Sequence, residues 1–254
     1  MKIISIVNPK GGAAKTVSAV NISYALVNRG YKTLLIDTDP RGSVEIYLGL
    51  NNKNTIFELI KEQYEFFNIQ DLQKYITNKS GLDIITSNFN ISKIDKYFDT
   101  DIESELDSIS DIKYLFQNYD YVIFDTEGTV NNLTKAILKV TDYIFTPTQT
   151  SNIDINGIRD LLNTFKISKR KNHNLEVKKI FIVRAKTNTN AYKNFKEKLK
   201  KYFSENQFSN VSIREDQNII NSMSEKLDIF SYKNSSNAAI DYRNFVNEFL
   251  EEIN

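Results

Sequence analysis

The chain has 254 residues, 41% of them hydrophobic and 12% aromatic, enough for a packed core and unlike a disordered or collagen-like composition. With 0 Cys it excludes disulfides, thiolate zinc sites, cysteine-ligated clusters and thiol nucleophiles, and its single histidine, His173, argues against a His-based metal site or catalytic triad. Lys+Arg 33 against Asp+Glu 32 gives a net charge of +1, so bulk charge alone implies no polyanionic partner.

Strand and helix signals alternate along the chain. Lys2 to Val7 reads as a strand. Because Met1-Lys2 leads straight into it, no signal peptide is expected. Lys15 to Asn28 reads as a helix that Gly30 stops, and Lys32 to Asp37 as the next strand. Thr55-Ile56-Phe57-Glu58 is a capping box that opens a helix to about Tyr64. Leu82 to Thr86 is a short strand, Ile102 to Phe116 a helix, and Tyr119 to Asp125 the most apolar strand of the middle. A helix from Asn132 to Lys139, a strand from Asp142 to Pro147 and a helix from Asn156 to Ser168 follow. Then come a strand from Val177 to Arg184, a helix from Ala191 to Phe203, a strand from Val211 to Ile213 and a last helix from Ala238 to Ile253. His173 lies in a polar stretch and reads as a plain loop residue. No apolar run approaches the roughly 20 residues of a membrane span.

Continuous apolar strands between helices predict an α/β fold: a doubly wound, mostly parallel sheet with helices on both faces and right-handed crossovers. Residues 1–254 contain no internal repeat and no linker rich in Gly, Pro or Ser, so a single domain is expected.

Between the first strand and the first helix stands Asn8-Pro9-Lys10-Gly11-Gly12-Ala13-Ala14-Lys15-Thr16. Strand, small-residue turn, Lys-Thr and helix form the layout of a phosphate-binding loop, in which backbone N–H groups and the helix N-terminus cradle phosphates. The common pattern GxxxxGK[ST] fails, because Pro9 and Ala14 occupy its two glycine positions. The segment instead resembles the deviant Walker A motif, KGGxxK[ST], of the ParA/MinD family of P-loop ATPases. Two further segments are similar to that family's motifs. Asp37-Thr38-Asp39-Pro40-Arg41-Gly42 resembles its D-x-D-P-Q-G switch segment, and Tyr119 to Thr126 its Walker B strand. Ile213-Arg214, Ser222-Met223 and Leu227 to Phe230 look like plasmid-type ParA proteins, so the resemblance covers nearly the whole chain.

The resemblance implies roles residue by residue. Gly11, Gly12, Ala13, Ala14, Lys15, Thr16 and Val17 would bind nucleotide together with Lys10, the signature lysine that in this family reaches phosphates in the partner subunit of a sandwich homodimer. Lys15 would hold phosphates within its own subunit. Thr16, Asp37 and Asp125 would form the Mg²⁺ site, and Asp39 would orient the attacking water. ATP and Mg²⁺ are the implied cofactors. The chain departs from the family pattern at Ala14 for Gly, at Val17 for Thr, at Arg41 for Gln, and at Glu127-Gly128, where Pro is usual. A left-handed torsion at Ala14 would cost on the order of 1 kcal/mol, a helical one little. Glu127 adds negative charge beside a triphosphate unless it pairs with Arg41 or Lys10.

Charge is uneven along the chain. From Arg159 to Lys201 there are 14 basic residues against three acids, whereas Asp95 to Asp111 alone carries seven acids. The basic segment suits nucleic acid or an acidic partner, and it is also what a solvated lysine-rich helix face looks like. By the family resemblance Lys186 and Arg214 would contact nonspecific DNA, and a centromere-binding ParB-type protein would be the partner in DNA segregation. The resemblance implies a cytoplasmic, nucleoid-associated protein. The acidic C-terminal helix does not fit a MinD-like membrane anchor. A hydrolysis-weak, nucleotide-dependent scaffold acting through a protein partner is the alternative that Ala14 and Glu127 motivate.

Overall fold

The computed structural model describes residues 1–66, 69, 71–96, 112–150 and 155–253. Its strands are β1 (Lys2–Ile6), β2 (Thr33–Asp37), β3 (Thr77–Lys79), β4 (Leu82–Ile85), β5 (Tyr121–Asp125), β6 (Tyr143–Thr148) and β7 (Glu176–Ile182). The helices, in chain order, are α1 (Lys15–Val27), α2 (Ser43–Leu48), α3 (Ile56–Phe66), α4 (Asn132–Val140), α5 (Ile155–Lys171), α6 (Asn190–Leu199), α7 (Gln217–Ser224), α8 (Ile229–Lys233) and α9 (Asn237–Ile253).

The strands form one sheet in the order β3-β4-β2-β5-β1-β6-β7. Every neighbouring pair is parallel except β3 with β4. Parallel strands buried on both faces carry apolar residues continuously, since alternate side chains leave toward opposite layers. Ile3 of β1, with Leu34, Ile36, Val122 and Phe124, packs against α3 and α4. Ile4 and Ile6, with Leu35, Ile123, Phe145 and Phe181, pack against α1 and α9. Near the far edge, Ile144, Ile180 and Ile182 meet Phe165 of α5 and Phe195 and Leu199 of α6. Each such buried side chain contributes roughly 1.5–3 kcal/mol over exposure, so these layers lock the register of the sheet.

That register positions the site. Asp37, at the end of β2, lies opposite Asp125, at the end of β5, and Ile6, at the end of β1, lies on the other side of Asp125. The doubly wound parallel architecture follows the sequence expectation, including the capping box. There the Thr55 N–H donates to Glu58 Oε2 at 2.9 Å and the Phe57 N–H to Thr55 Oγ1 at 3.3 Å. The helix it opens runs to Phe66, beyond Tyr64.

Some elements differ. Val211 to Ile213 is not a strand. Ile213 donates to Ile182 O at 2.8 Å and accepts from the Ala185 N–H at 2.9 Å, leaving an isolated parallel bridge between Ala185 and Arg214. The chain then turns to Asp216, whose carboxylate caps α7, before a ladder can extend. The edge strand β3 is Thr-Asn-Lys and has no apolar signal to read. The short helices α2, α7 and α8 also escaped the sequence reading. Of the helix expected over Ile102 to Phe116, residues 102–111 lie outside the described residues, and Tyr114–Phe116 form a 3₁₀ turn.

Candidate nucleotide-binding site

The loop after β1 is built from local hydrogen bonds. Asn8 closes an Asx turn, its Oδ1 accepting the Lys10 N–H at 2.9 Å, while its Nδ2 donates to Pro147 O at 2.8 Å and ties the loop to β6. Gly11 and Gly12 are exposed, with nothing within 4 Å of where a Cβ would stand, so their backbone faces open space. Gly12 has φ +74° and Ala14 has φ +60°, both left-handed. Ala13 is buried, and Val17 is half-buried against the α1–α9 layer.

Ala14 is the cap of α1, and its carbonyl accepts the Ser18 N–H at 3.0 Å. An alanine in this conformation carries a steric cost that glycine avoids. Ala14→Gly is therefore expected to raise stability by about 1 kcal/mol, partly offset by the greater freedom of glycine in the unfolded chain. A thermal or urea melt of the nucleotide-free protein reads this directly. A destabilised variant would show that the methyl group packs favourably enough to outweigh its strain.

Lys15 opens α1 and is only 8% exposed. Its Nζ donates to Lys10 O at 3.3 Å and stands 3.6 Å from where a Cβ on Gly128 would lie. That same position is 3.4 Å from Gly11 Cα, so Gly128 sits in ordinary van der Waals range of the loop. Burial lowers the pKa of the Lys15 ammonium, an effect opposed by Asp125, Asp39 and Glu127.

Thr16 Oγ1 donates to Asp125 Oδ2 at 2.6 Å. The other oxygen, Asp125 Oδ1, is buried with no hydrogen-bond partner. Leaving a buried acceptor unsatisfied costs about 1–3 kcal/mol, and more for a charged group. Asp37 is fully buried alongside and accepts the N–H groups of Asp39 (2.9 Å) and Val44 (3.0 Å). Burial raises Asp125 to about 7, opposed by the Thr16 hydroxyl and Lys15. Burial and the neighbouring Asp125 carry Asp37 well above the ordinary carboxylate range. Two buried carboxylates beside a hydroxyl, one with an unpaired oxygen, form a donor set that fits a hydrated hard divalent cation.

Asp39 is half-buried at the mouth, its Oδ1 accepting the Arg41 N–H at 2.9 Å. Gly42 sits at φ +60°, where a Cβ would stand 2.7 Å from Ser87 O, so the turn after Asp39 has room only for glycine. Glu127 Oε2 accepts Asn131 Nδ2 at 2.7 Å, and Asn131 caps α4. Lys10 is exposed at the loop tip. Gln149 is a residue that the sequence reading missed: its Nε2 donates to Gly12 O at 2.6 Å. It follows β6, the strand beside β1, so only the strand order points to it.

Lys186 and Arg214 meet away from this loop. The Ala185–Arg214 bridge sets their backbones side by side beyond the end of β7. Each has a carboxylate partner. Lys186 Nζ lies 3.1 Å from Glu215 on an exposed surface. Arg214 donates through Nε and Nη2 to Asp241 at 2.9 and 2.7 Å, leaving the outer edge of its guanidinium facing away from the pair. This bidentate pairing raises the Arg214 pKa.

Comparison with known proteins agrees with this architecture. A family model described as "AAA domain" matches residues 1–177. The sporulation initiation inhibitor protein Soj of Bacillus subtilis is 27% identical over 214 residues, 83% of each chain. A plasmid partition protein of Borrelia burgdorferi is 26% identical, with a TM-score of 0.72 over 99% of this chain and 98% of that one. Cobyrinic acid a,c-diamide synthase of Mycobacterium smegmatis, solved with ADP and magnesium, shares the fold at a TM-score of 0.82 and 18% identity, over 100% of this chain and 95% of that one. With a matching family model, relatives along most of its length and a phosphate-loop architecture at the strand ends, the chain belongs to the ParA/MinD family of P-loop ATPases.

Proposed function

We propose that this protein is a partition ATPase that binds ATP with Mg²⁺, closes into a homodimer and holds nonspecific DNA while it segregates plasmid or chromosomal DNA. The observation that carries the reading is the meeting of Lys15, Thr16, Asp37 and Asp125 at adjacent strand ends, with Asp125 Oδ1 buried and unpaired. Thr16 and the two carboxylates would hold the cation, Asp125 through water, and the cation would neutralise charge on the β and γ phosphates. Lys15 holds phosphates from within the subunit, while Gly11 to Val17 offer backbone and helix N-terminus to them. Lys10, exposed at the loop tip, reaches toward the phosphates of the second subunit. Asp39 has one oxygen committed to Arg41, and the other orients the attacking water. Phosphoryl transfer depends on positioning and charge neutralisation, so few groups are needed.

Dimerisation doubles the phosphate contacts available to each complex, so nucleotide state gates DNA affinity with little change within a subunit. Lys186 and Arg214 contribute to that contact, and a centromere-binding ParB-type protein stimulates hydrolysis and release. Among the described residues no helix is long and apolar enough to cross a membrane, and action on the nucleoid needs no anchor. A second reading is a nucleotide-dependent scaffold with weak turnover, which the left-handed Ala14 and the Glu127 carboxylate near Lys15 favour.

Binding to nonspecific duplex DNA with ATP, ADP or no nucleotide tests the reading, with Lys15→Ala in parallel. Binding that requires ATP and is lost in the variant supports gated partition. Equal binding in every nucleotide state rejects the gate, and no binding in any state rejects the partition reading in favour of the scaffold.

A further inference from the structure

β4, β2 and β5 end side by side, and their ends set a row of polar side chains on one face of the sheet. Asp37 stands in register with Asp125, and Ile36 with Ile85 of β4, so one step further along Thr86 lies beside Asp37. Ile84, Leu35 and Ile123, each two residues earlier, all lie in the layer against α1 and α9. Side chains two apart share a face, so Thr86, Asp37 and Asp125 point toward that same layer. Ser87 leaves toward the opposite layer. The chain past β4 stays against the turn that follows Asp39, because Ser87 O stands 2.7 Å from where a Cβ on Gly42 would lie.

Thr86 is fully buried, and its Oγ1 has no hydrogen-bond partner. Its carbonyl is committed to the start of α3, where the Ile56 N–H donates to it at 2.9 Å, so the backbone is fixed and the hydroxyl is left over. A buried hydroxyl ordinarily finds an acceptor, and an unsatisfied one weakens the fold. Asp37 beside it is also fully buried, and among the described residues its donors are two backbone N–H groups, those of Asp39 and Val44. Both come from the segment that carries Asp39 to the mouth of the site and opens α2. The carboxylate thus depends for its orientation on the turn that meets the phosphates. An ionised carboxylate offers about four acceptor positions, so Asp37 has room for a further donor. Neighbouring strands lie about 4.8 Å apart, and a change of χ1 rotamer swings Thr86 Oγ1 toward or away from that gap.

We propose that Thr86 is a positioning residue for Asp37, its hydroxyl donating to the carboxylate when residues 39–44 shift to meet Mg²⁺-nucleotide and withdraw an N–H. The bond keeps Asp37 aimed along the row toward Asp125 and Thr16 while the turn beside it rearranges. This rests on the assignment of Asp37 to the Mg²⁺ site given above and adds the residue that stands behind it. A threonine that only filled space would serve equally well as valine, whose methyl group has the same shape without the cost of an unpaired hydroxyl.

The test compares the full chain with Thr86→Val, which removes the hydroxyl, and Thr86→Ser, which keeps it; Thr86→Ala is a second hydroxyl-free variant. Without nucleotide, Thr86→Val is expected to melt at or above the parent temperature. The Mg²⁺ concentration for half-maximal ATP hydrolysis is expected to rise about 10-fold in the hydroxyl-free variants, the size of one hydrogen bond to a charged group. At saturating Mg²⁺ their kcat should stay within about 3-fold of the parent, and Thr86→Ser should match the parent throughout. A readout independent of turnover is the melting temperature at fixed ADP as Mg²⁺ is added, whose midpoint should move by the same factor. Unchanged midpoints in both hydroxyl-free variants would overturn the proposal. So would a nucleotide-free Thr86→Val that melts well below the parent while Thr86→Ser does not, since the hydroxyl would then already be bonded in the resting fold. Asp37→Asn in the same series separates this proposal from the reading beneath it. If that variant keeps the Mg²⁺-dependent rise, Asp37 is not at the cation site and both fall; if it loses the rise and Thr86→Val keeps it, only the positioning role falls.

Discussion

Lys15→Ala is expected to lower kcat/KM for ATP hydrolysis by about 100- to 1,000-fold, the usual consequence of removing one preorganised charged donor from a transition state. Lys15 is buried at the start of α1, is fixed by Lys10 O and stands beside Asp125, so no mobile surface cation can take its place without rebuilding the loop. Phosphate release under saturating Mg²⁺, with a melt to verify folding, measures it. Burying the ammonium is itself costly, so the variant is not expected to melt much below the parent. Activity within a few-fold of the parent would mean that Lys10 or Arg41 carries the charge neutralisation, and the site assignment would have to change.

The second large effect is on stability against pH in the nucleotide-free protein. Asp125 and Asp37 titrate above the unfolded carboxylate value because both are buried. Between pH ~4 and pH ~7 the folded state therefore binds more protons than the unfolded chain. By linkage, both make stability fall as pH rises above the unfolded carboxylate value, the part due to Asp125 being complete once pH has passed about 7. The direction is opposite to that of a salt-bridged surface carboxylate. Asp125→Asn is expected to flatten the decline, leaving a difference on the order of a few kcal/mol between variant and parent across the window. Melting temperatures from pH 4.5 to 8 for the two proteins read it, because contributions common to both cancel. Adding Mg²⁺ with nucleotide should restore stability to the parent at pH 8 and not to the variant. Parallel pH profiles would show that the buried carboxylates are solvated through a path that the geometry does not reveal.

Much of this site could be read from the chain because its parts are local. The strand-loop-helix of residues 2–27 carries its own turn residues, and Asp37 and Asp125 each close an apolar strand, where a carboxylate would otherwise be out of place. The same locality explains the capping box at Thr55. It also explains why the sequence missed β3, whose three polar residues are a strand only because β4 pairs with them. Val211 to Ile213 shows the converse: its apolar pattern satisfies β7, yet Asp216 turns the chain before a strand can form.

The amino-acid order alone determined the phosphate-loop layout, the parallel α/β architecture and the uneven charge. Each of these follows from residue periodicity or from groups within a few positions of one another. Only the tertiary structure decided which carboxylate each of these side chains meets, since Arg214 lies 27 residues from Asp241 and Thr16 lies 109 from Asp125. It also decided the left-handed torsion of Ala14, the bond from Gln149 to Gly12 and the pairing of residues 208–214 along the edge of β7. Contacts between distant segments depend on how whole layers pack and register, and no local pattern encodes that.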